Sequence, residues 1–155
     1  MANTYTQIFI HSIFVVKGRQ NLIPSDKKEE LNKYITGIIQ NKEHKLYIIN
    51  GMPDHIHILF GLNPNESLSS LMKEVKRVSS LFINQNRWVT GKFEWQPGYG
   101  AFSYSKSQTA KVYKYIENQE NHHKRVTFKE EYIELLKKFE IEYDDKFIFE
   151  DVYNI

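Results

Sequence analysis

Two histidines one residue apart, His55-Ile56-His57, open an apolar run that closes at Gly61. In an extended chain, side chains two apart project to the same side, so both imidazoles share a face that Ile56 does not. Neutral imidazoles held side by side are a ready pair of metal ligands, although the spacing also occurs by chance. A second group is Tyr115-Ile116-Glu117-Asn118-Gln119. On a helix, Tyr115 and Gln119 lie one turn apart on one face, and His122 falls nearly under them. A phenol, an amide oxygen and an imidazole then form a reactive stripe; the plainer reading is a core tyrosine with solvated polar neighbours. Tyr113 points to roughly the opposite face, packing-like beside Val112 and Ile116, and ranks second as nucleophile ahead of Tyr104 and Tyr99.

The two groups gain meaning together. A phenol with a pKa near ~10 attacks poorly unless its target is activated. A divalent cation on two histidines and an amide polarises a phosphoryl oxygen and orients the diester. Tyrosine attack would then store the bond energy in a phosphotyrosine link for later rejoining. The chain carries neither a P-loop nor a dinucleotide glycine motif, in keeping with chemistry that needs no external energy.

The elements that must position these residues follow from patterning. Thr6 to Lys17 is rich in Ile, Val and Phe and reads as a strand. Pro24-Ser25-Asp26 opens a helix with Leu31, Tyr34, Ile35, Ile38 and Ile39 at helical spacing. Lys45 to Asn50 is a second strand, the turn Gly51-Met52-Pro53-Asp54 closes it, and His55 to Gly61 is a third. Ser67 caps a helix whose buried face is Leu68, Leu71, Met72, Val75, Val78 and Phe82. Gly98 to Tyr104 is a short strand, and Ser105 or Ser107 caps a helix running to about His123. Thr127 to Phe139 is a last helix, with Phe128, Tyr132, Ile133 and Leu136 in register, before a polar acidic tail after Asp144. The order is a split β-α-β pattern of the α+β class: one antiparallel sheet with helices on one face, plus a C-terminal helix. The other sheet face is expected to be free for a ligand, a nucleic acid or a partner.

The chain has 155 residues, 41% hydrophobic and 14% aromatic, which predicts one domain over 1–155. Its core spans about 5–123, and the C-terminal helix and tail about 127–155. With no cysteine, disulfides, zinc–thiolate sites and thiol catalysis are excluded. Met1 to Gln7 is polar without a basic start, and no apolar run approaches the ~20 residues of a membrane span, so a cytoplasmic location is expected. A formal charge of +2 announces no nucleic-acid partner by itself. Between Leu71 and Lys114, however, eight basic residues face only Glu74 and Glu94. That clustering is either a basic surface or an ordinary solvated helix face.

Met52-Pro53-Asp54-His55-Ile56-His57-Ile58-Leu59 resembles the PDHxH segment of the HUH single-tyrosine transposases of the insertion-sequence 200/605 family. Three more stretches match in the same order: Lys76-Arg77-Val78-Ser79-Ser80, then Trp95 to Ser103, and Tyr115 to His123. The resemblance implies a ferredoxin-like (RRM-like) domain acting as a homodimer on hairpins in single-stranded DNA. It implies a 5′-phosphotyrosine at Tyr115, and a divalent metal, Mg2+ or Mn2+, on His55, His57 and Gln119. Relatives often complete each site with the tyrosine helix of the other subunit. Lys76, Arg77, Lys106 and Lys111 are DNA-backbone candidates, since cations favour approach to phosphate. His122 and His123 fit the family pattern without an assigned catalytic role. The residues leave three other readings open: a non-catalytic RRM-like single-strand binder, a metal-dependent phosphodiesterase in which water attacks, and a structural dimer.

Overall fold

The computed structural model describes residues 3–149; 150–155, the end of the acidic tail, lie outside it. Its strands are β1 (Phe9–Val15), β2 (Lys45–Met52), β3 (His55–Gly61) and β4 (Gly100–Tyr104). Its helices are α1 (Lys28–Asn41), α2 (Leu68–Gln85), α3 (Thr109–Glu117), α4 (Gln119–His122) and α5 (Phe128–Lys138). The strands form one sheet in the order β2-β3-β1-β4, and all neighbours run antiparallel. This is the expected split β-α-β frame. No described helix is long and apolar enough to cross a membrane.

Alternation along β1 sorts the core into two layers. Ile10, Phe14 and Val16 join Leu31, Ile35 and Ile39 of α1 and Leu71, Met72 and Val75 of α2. The crossover helices therefore share one face, as the pattern predicts. Ile13 and Val15 point the other way and pack with Phe128, Tyr132 and Leu136 of α5. Leu59 of β3 packs there with Val112 and Ile116 of α3. The second face, expected to be free, is thus roofed by α3 and α5. Period-2 alternation cannot announce this, because every residue of β1 is buried.

The long helix expected after Ser105 is broken in two at Asn118 (ψ 22°). The cause lies across the sheet: Asn50 Nδ2 of β2 donates to the carbonyls of Ile116 and Glu117, at 2.9 and 3.1 Å, and so closes the end of α3. Ser67 caps α2 as expected, its hydroxyl accepting from Ser70 N at 3.1 Å. The buried face of α2 turns further than expected, onto Ser79 and Ile83. Phe82 instead stacks flat on Tyr34 of α1, with centroids 3.8 Å apart.

Two motif segments prove to be one joint. Trp95 Nε1 donates to Ser79 Oγ at 2.9 Å, and Lys76 Nζ donates to the carbonyls of Gln96 and Gly98 at 2.7 and 2.6 Å. Lys76 therefore ties α2 to the loop that leads into β4. Lys76→Met should lower stability by about 1.5–3 kcal/mol, the range for bonds to a charged donor. A urea titration reads this directly, and an unchanged midpoint would mean water serves those carbonyls equally well.

Candidate active site

The pairing register decides what shares the roofed face. His55 lies opposite Val15 and His57 opposite Ile13, so both imidazoles join the layer of Ile13, Val15, α3 and α5. Both side chains are fully buried. From the helices come Tyr115 at the end of α3 and Gln119 at the start of α4. The break at Asn118 does not separate them: Gln119 Oε1 lies 3.3 Å from His55 Nε2, and the Tyr115 ring centroid lies 5.8 Å from that of His57. The structure thus brings Tyr115, His55, His57 and Gln119 together within one chain. Tyr113 is 39% exposed on the far side of α3, where packing beside Val112 and Ile116 was expected. Tyr99 is also exposed, while Tyr104 is half-buried at the rim, with burial pushing its phenol up to about 12.

The centre of the site is a residue the motifs do not contain. Glu131, on α5, is buried with both carboxylate oxygens among these groups. Oε1 lies 3.0 Å from His57 Nε2, 3.3 Å from His123 Nε2 and 3.8 Å from His55 Nε2. Oε2 accepts from the Tyr115 hydroxyl and, at 3.1 Å, from Gln119 Nε2. His122 Nε2 comes within 3.1 Å of Oε2 but without hydrogen-bond geometry. Oε1 therefore faces His55, His57 and His123, while Oε2 faces the phenol, Gln119 and the edge of His122.

Burial and charge set the ionisation here. Burial pushes the Glu131 carboxyl up, but His123, His57 and Tyr115 more than reverse this and hold it well below the usual carboxylate range. Burial raises the Tyr115 phenol far above its ordinary value, and the Glu131 charge adds to the effect. Burial also brings His57 down to about 4 against the pull of Glu131, so it is neutral. For His123 burial lowers the pKa, yet Glu131 wins and the net direction is up. Its nitrogens lie 2.9 Å from Val126 O and 2.9 Å from Gln119 Oε1.

The donors of His55, His57, His123 and Glu131 all lie within 4.8 Å of one another. Three imidazoles and a carboxylate at that spacing can hold a divalent cation, and the carboxylate supplies the charge that such an ion neutralises. Asp54 Oδ1, 2.6 Å from His55 Nδ1, fixes that ring from behind and leaves Nε2 facing the group. Beside Tyr115 a groove of about 280 Å³ opens between α3 and α5, edged by Tyr104, Lys111 and Lys138. Lys111 is thus at the mouth of the site. Arg77 pairs with Glu74 and borders a different groove on α2, and Lys106 is exposed in the turn before α3.

Known proteins resemble this chain in sequence and in fold. Residues 4–119 match the family model described as "Transposase IS200 like". The ISDra2 transposase TnpA of Deinococcus radiodurans is 26% identical over 120 residues, covering 73% of this chain and 84% of that one. The transposase for insertion sequence element IS200 of Salmonella typhimurium is 26% identical over 125 residues, covering 77% and 81%. Among solved structures, a REP-associated tyrosine transposase bound to a REP hairpin superposes with a TM-score of 0.61 at 15% identity, over 81% of this chain and 74% of that one. A Deinococcus radiodurans crystal structure superposes at 0.58 with 24% identity, over 77% and 95%. At these identities the two structures speak for the fold alone. Glu131, His122 and His123 fall beyond the matched stretch, while His55, His57, Tyr115 and Gln119 fall within it. With three quarters of its length matched by the family model, the chain belongs to the IS200-like transposase family.

Proposed function

We propose that the protein cuts and rejoins single-stranded DNA at hairpin-marked element ends, with Tyr115 as nucleophile and a 5′-phosphotyrosine as intermediate. The observation that carries this reading is the Glu131 carboxylate, which faces His57 on one oxygen and the Tyr115 hydroxyl on the other. His55, His57 and Gln119 would hold the divalent ion, Mg2+ or Mn2+, with Glu131 and His123 as further donors. When bound, the ion supplies charge to polarise the scissile phosphate. Glu131 Oε2 takes the phenolic proton, the Tyr115 oxygen bonds to phosphorus, and the bond to the 3′-oxygen breaks, that oxygen taking a proton from solvent water to leave a 3′-hydroxyl. Lys111 and Lys138, at the groove mouth, would meet the flanking phosphates. A hairpin as ligand is supported by the REP-associated relative, which is described bound to one.

Tyr115 reaches the histidines of its own chain, so this reading assigns it to act in cis. Dimerisation, which the family resemblance implies, is then not needed to deliver the tyrosine. The RRM-like alternative loses its platform, because the sheet face it would use is roofed by α3 and α5.

The test uses single-stranded DNA carrying a hairpin from the flanks of the gene, incubated with the protein and Mg2+ or Mn2+. A denaturing gel should show a covalent protein–DNA adduct that chelation of the metal abolishes. Cleavage without an adduct would instead assign attack to water and make the protein a phosphodiesterase. Binding without cleavage would make it a single-strand binder.

A further inference from the structure

His11 stands in the middle of β1, fully buried, on the same sheet face as His55 and His57. Its Nε2 lies 2.8 Å from His57 Nδ1, and the two rings stack with centroids 5.0 Å apart. Its other nitrogen, Nδ1, is buried without a hydrogen-bond partner among the described residues. The rings of Phe102, Tyr104 and Tyr115 stand around it. An apolar side chain would fill such an aromatic box without burying a bare polar atom. Among the described residues, the one hydrogen-bond partner of the His11 side chain is the rear nitrogen of a candidate metal ligand.

That contact fixes where the protons are. His57 Nε2 faces the carboxylate oxygen Glu131 Oε1 at 3.0 Å, a contact in which the ring N–H donates and the oxygen accepts. In a neutral ring Nδ1 is then a bare acceptor. His11 must donate to it from Nε2, and its own unpartnered Nδ1 is a lone pair rather than an orphaned N–H. The assignment is self-consistent from one end to the other.

A metal ligand needs the opposite arrangement at His57, with Nε2 bare and Nδ1–H pointing at an acceptor. The acceptor available is His11 Nε2. We propose that His11 is the positioning residue for His57, and that the two histidines exchange tautomers together when a divalent cation binds. Each ring moves its proton from Nε2 to Nδ1; none is gained or lost overall. This rests on the metal reading of the site given above.

Long-range proton–nitrogen correlation of the histidine rings in the full chain separates the two tautomers without any mutation. Metal-free protein should show Nε2–H at both His11 and His57, and saturation with Zn2+, a diamagnetic probe, should turn both to Nδ1–H. In calorimetric titrations His11→Phe should weaken Mn2+ binding roughly 10–100-fold, the range for lost outer partners of metal ligands. His11→Gln, which keeps an acceptor, should recover part of that loss. The melting temperature of each variant without metal separates this from simple unfolding, and the resonance measurement stands even if His11→Phe fails to fold. The inference is overturned if His11 keeps Nε2–H in the Zn2+ form, or if folded His11→Phe binds Mn2+ as tightly as the wild type. A wild-type chain that binds neither ion would overturn the metal reading itself.

Discussion

Tyr115→Phe should leave a folded protein that still binds hairpin DNA and forms no covalent adduct with it. The ring does the packing: it meets His57, His122 and His11 edge-on, and all three contacts survive without the hydroxyl. The hydroxyl donates to Glu131 Oε2, and that oxygen keeps Gln119 Nε2 at 3.1 Å. The stability cost should therefore be about 1 kcal/mol, that of one partner among several. Adduct formation should fall by at least about 10³-fold, since loss of a covalent nucleophile removes the reaction path rather than tuning it. Tyr113→Phe is the matched control, its side chain 39% exposed and outside the site; it should cut at the wild-type rate. Retained adduct in Tyr115→Phe, or its loss in Tyr113→Phe, would assign the nucleophile elsewhere.

The parts of this site that sequence makes legible are those whose geometry is local. His55 and His57 are two apart in a strand whose bounds are as expected, so their shared face follows from the pleat alone. Tyr115 and Gln119 are four apart, close enough for helical spacing to hold across the break at Asn118. His11 is not legible in this way. The run Phe9–Val15 is buried on both faces, so nothing in it says which side His11 takes; only the pairing Ile13↔His57 does. Glu131 is hidden for another reason. In Thr127 to Phe139 it looks like one of several solvated acids, and the apolar register of Phe128, Tyr132 and Leu136 draws the eye past it. Yet position 131 lies one turn from Phe128 and beside Tyr132 on the buried stripe. A carboxylate on an apolar stripe, in a chain with a histidine pair in need of a counter-charge, was the available signal.

Because α5 carries that carboxylate, the last helix should matter to the chemistry and not only to the fold. A Cβ added at Gly100 would stand 2.6 Å from Tyr132 Oη, so β4 and α5 fit at close range, and Tyr132 holds α5 one residue beyond Glu131. Glu131→Gln keeps the shape but removes the charge that the phenol and His57 both lean on. Adduct formation should drop about 10²–10⁴-fold, the range for loss of a positioned proton acceptor. Divalent ion binding should weaken as well, because the negative charge is lost from the donor group. Glu131→Ala should go further and cost about 3–5 kcal/mol of stability without metal, as when one member of a buried charged network is removed. His57, Gln119 and His123 would then face an uncompensated void. The informative outcome is the sign of the rate change in Glu131→Gln. A fall places the carboxylate among the working groups. A rise would mean that the carboxylate occupies the ion's place until α5 withdraws, making that helix a latch on the site rather than a part of it.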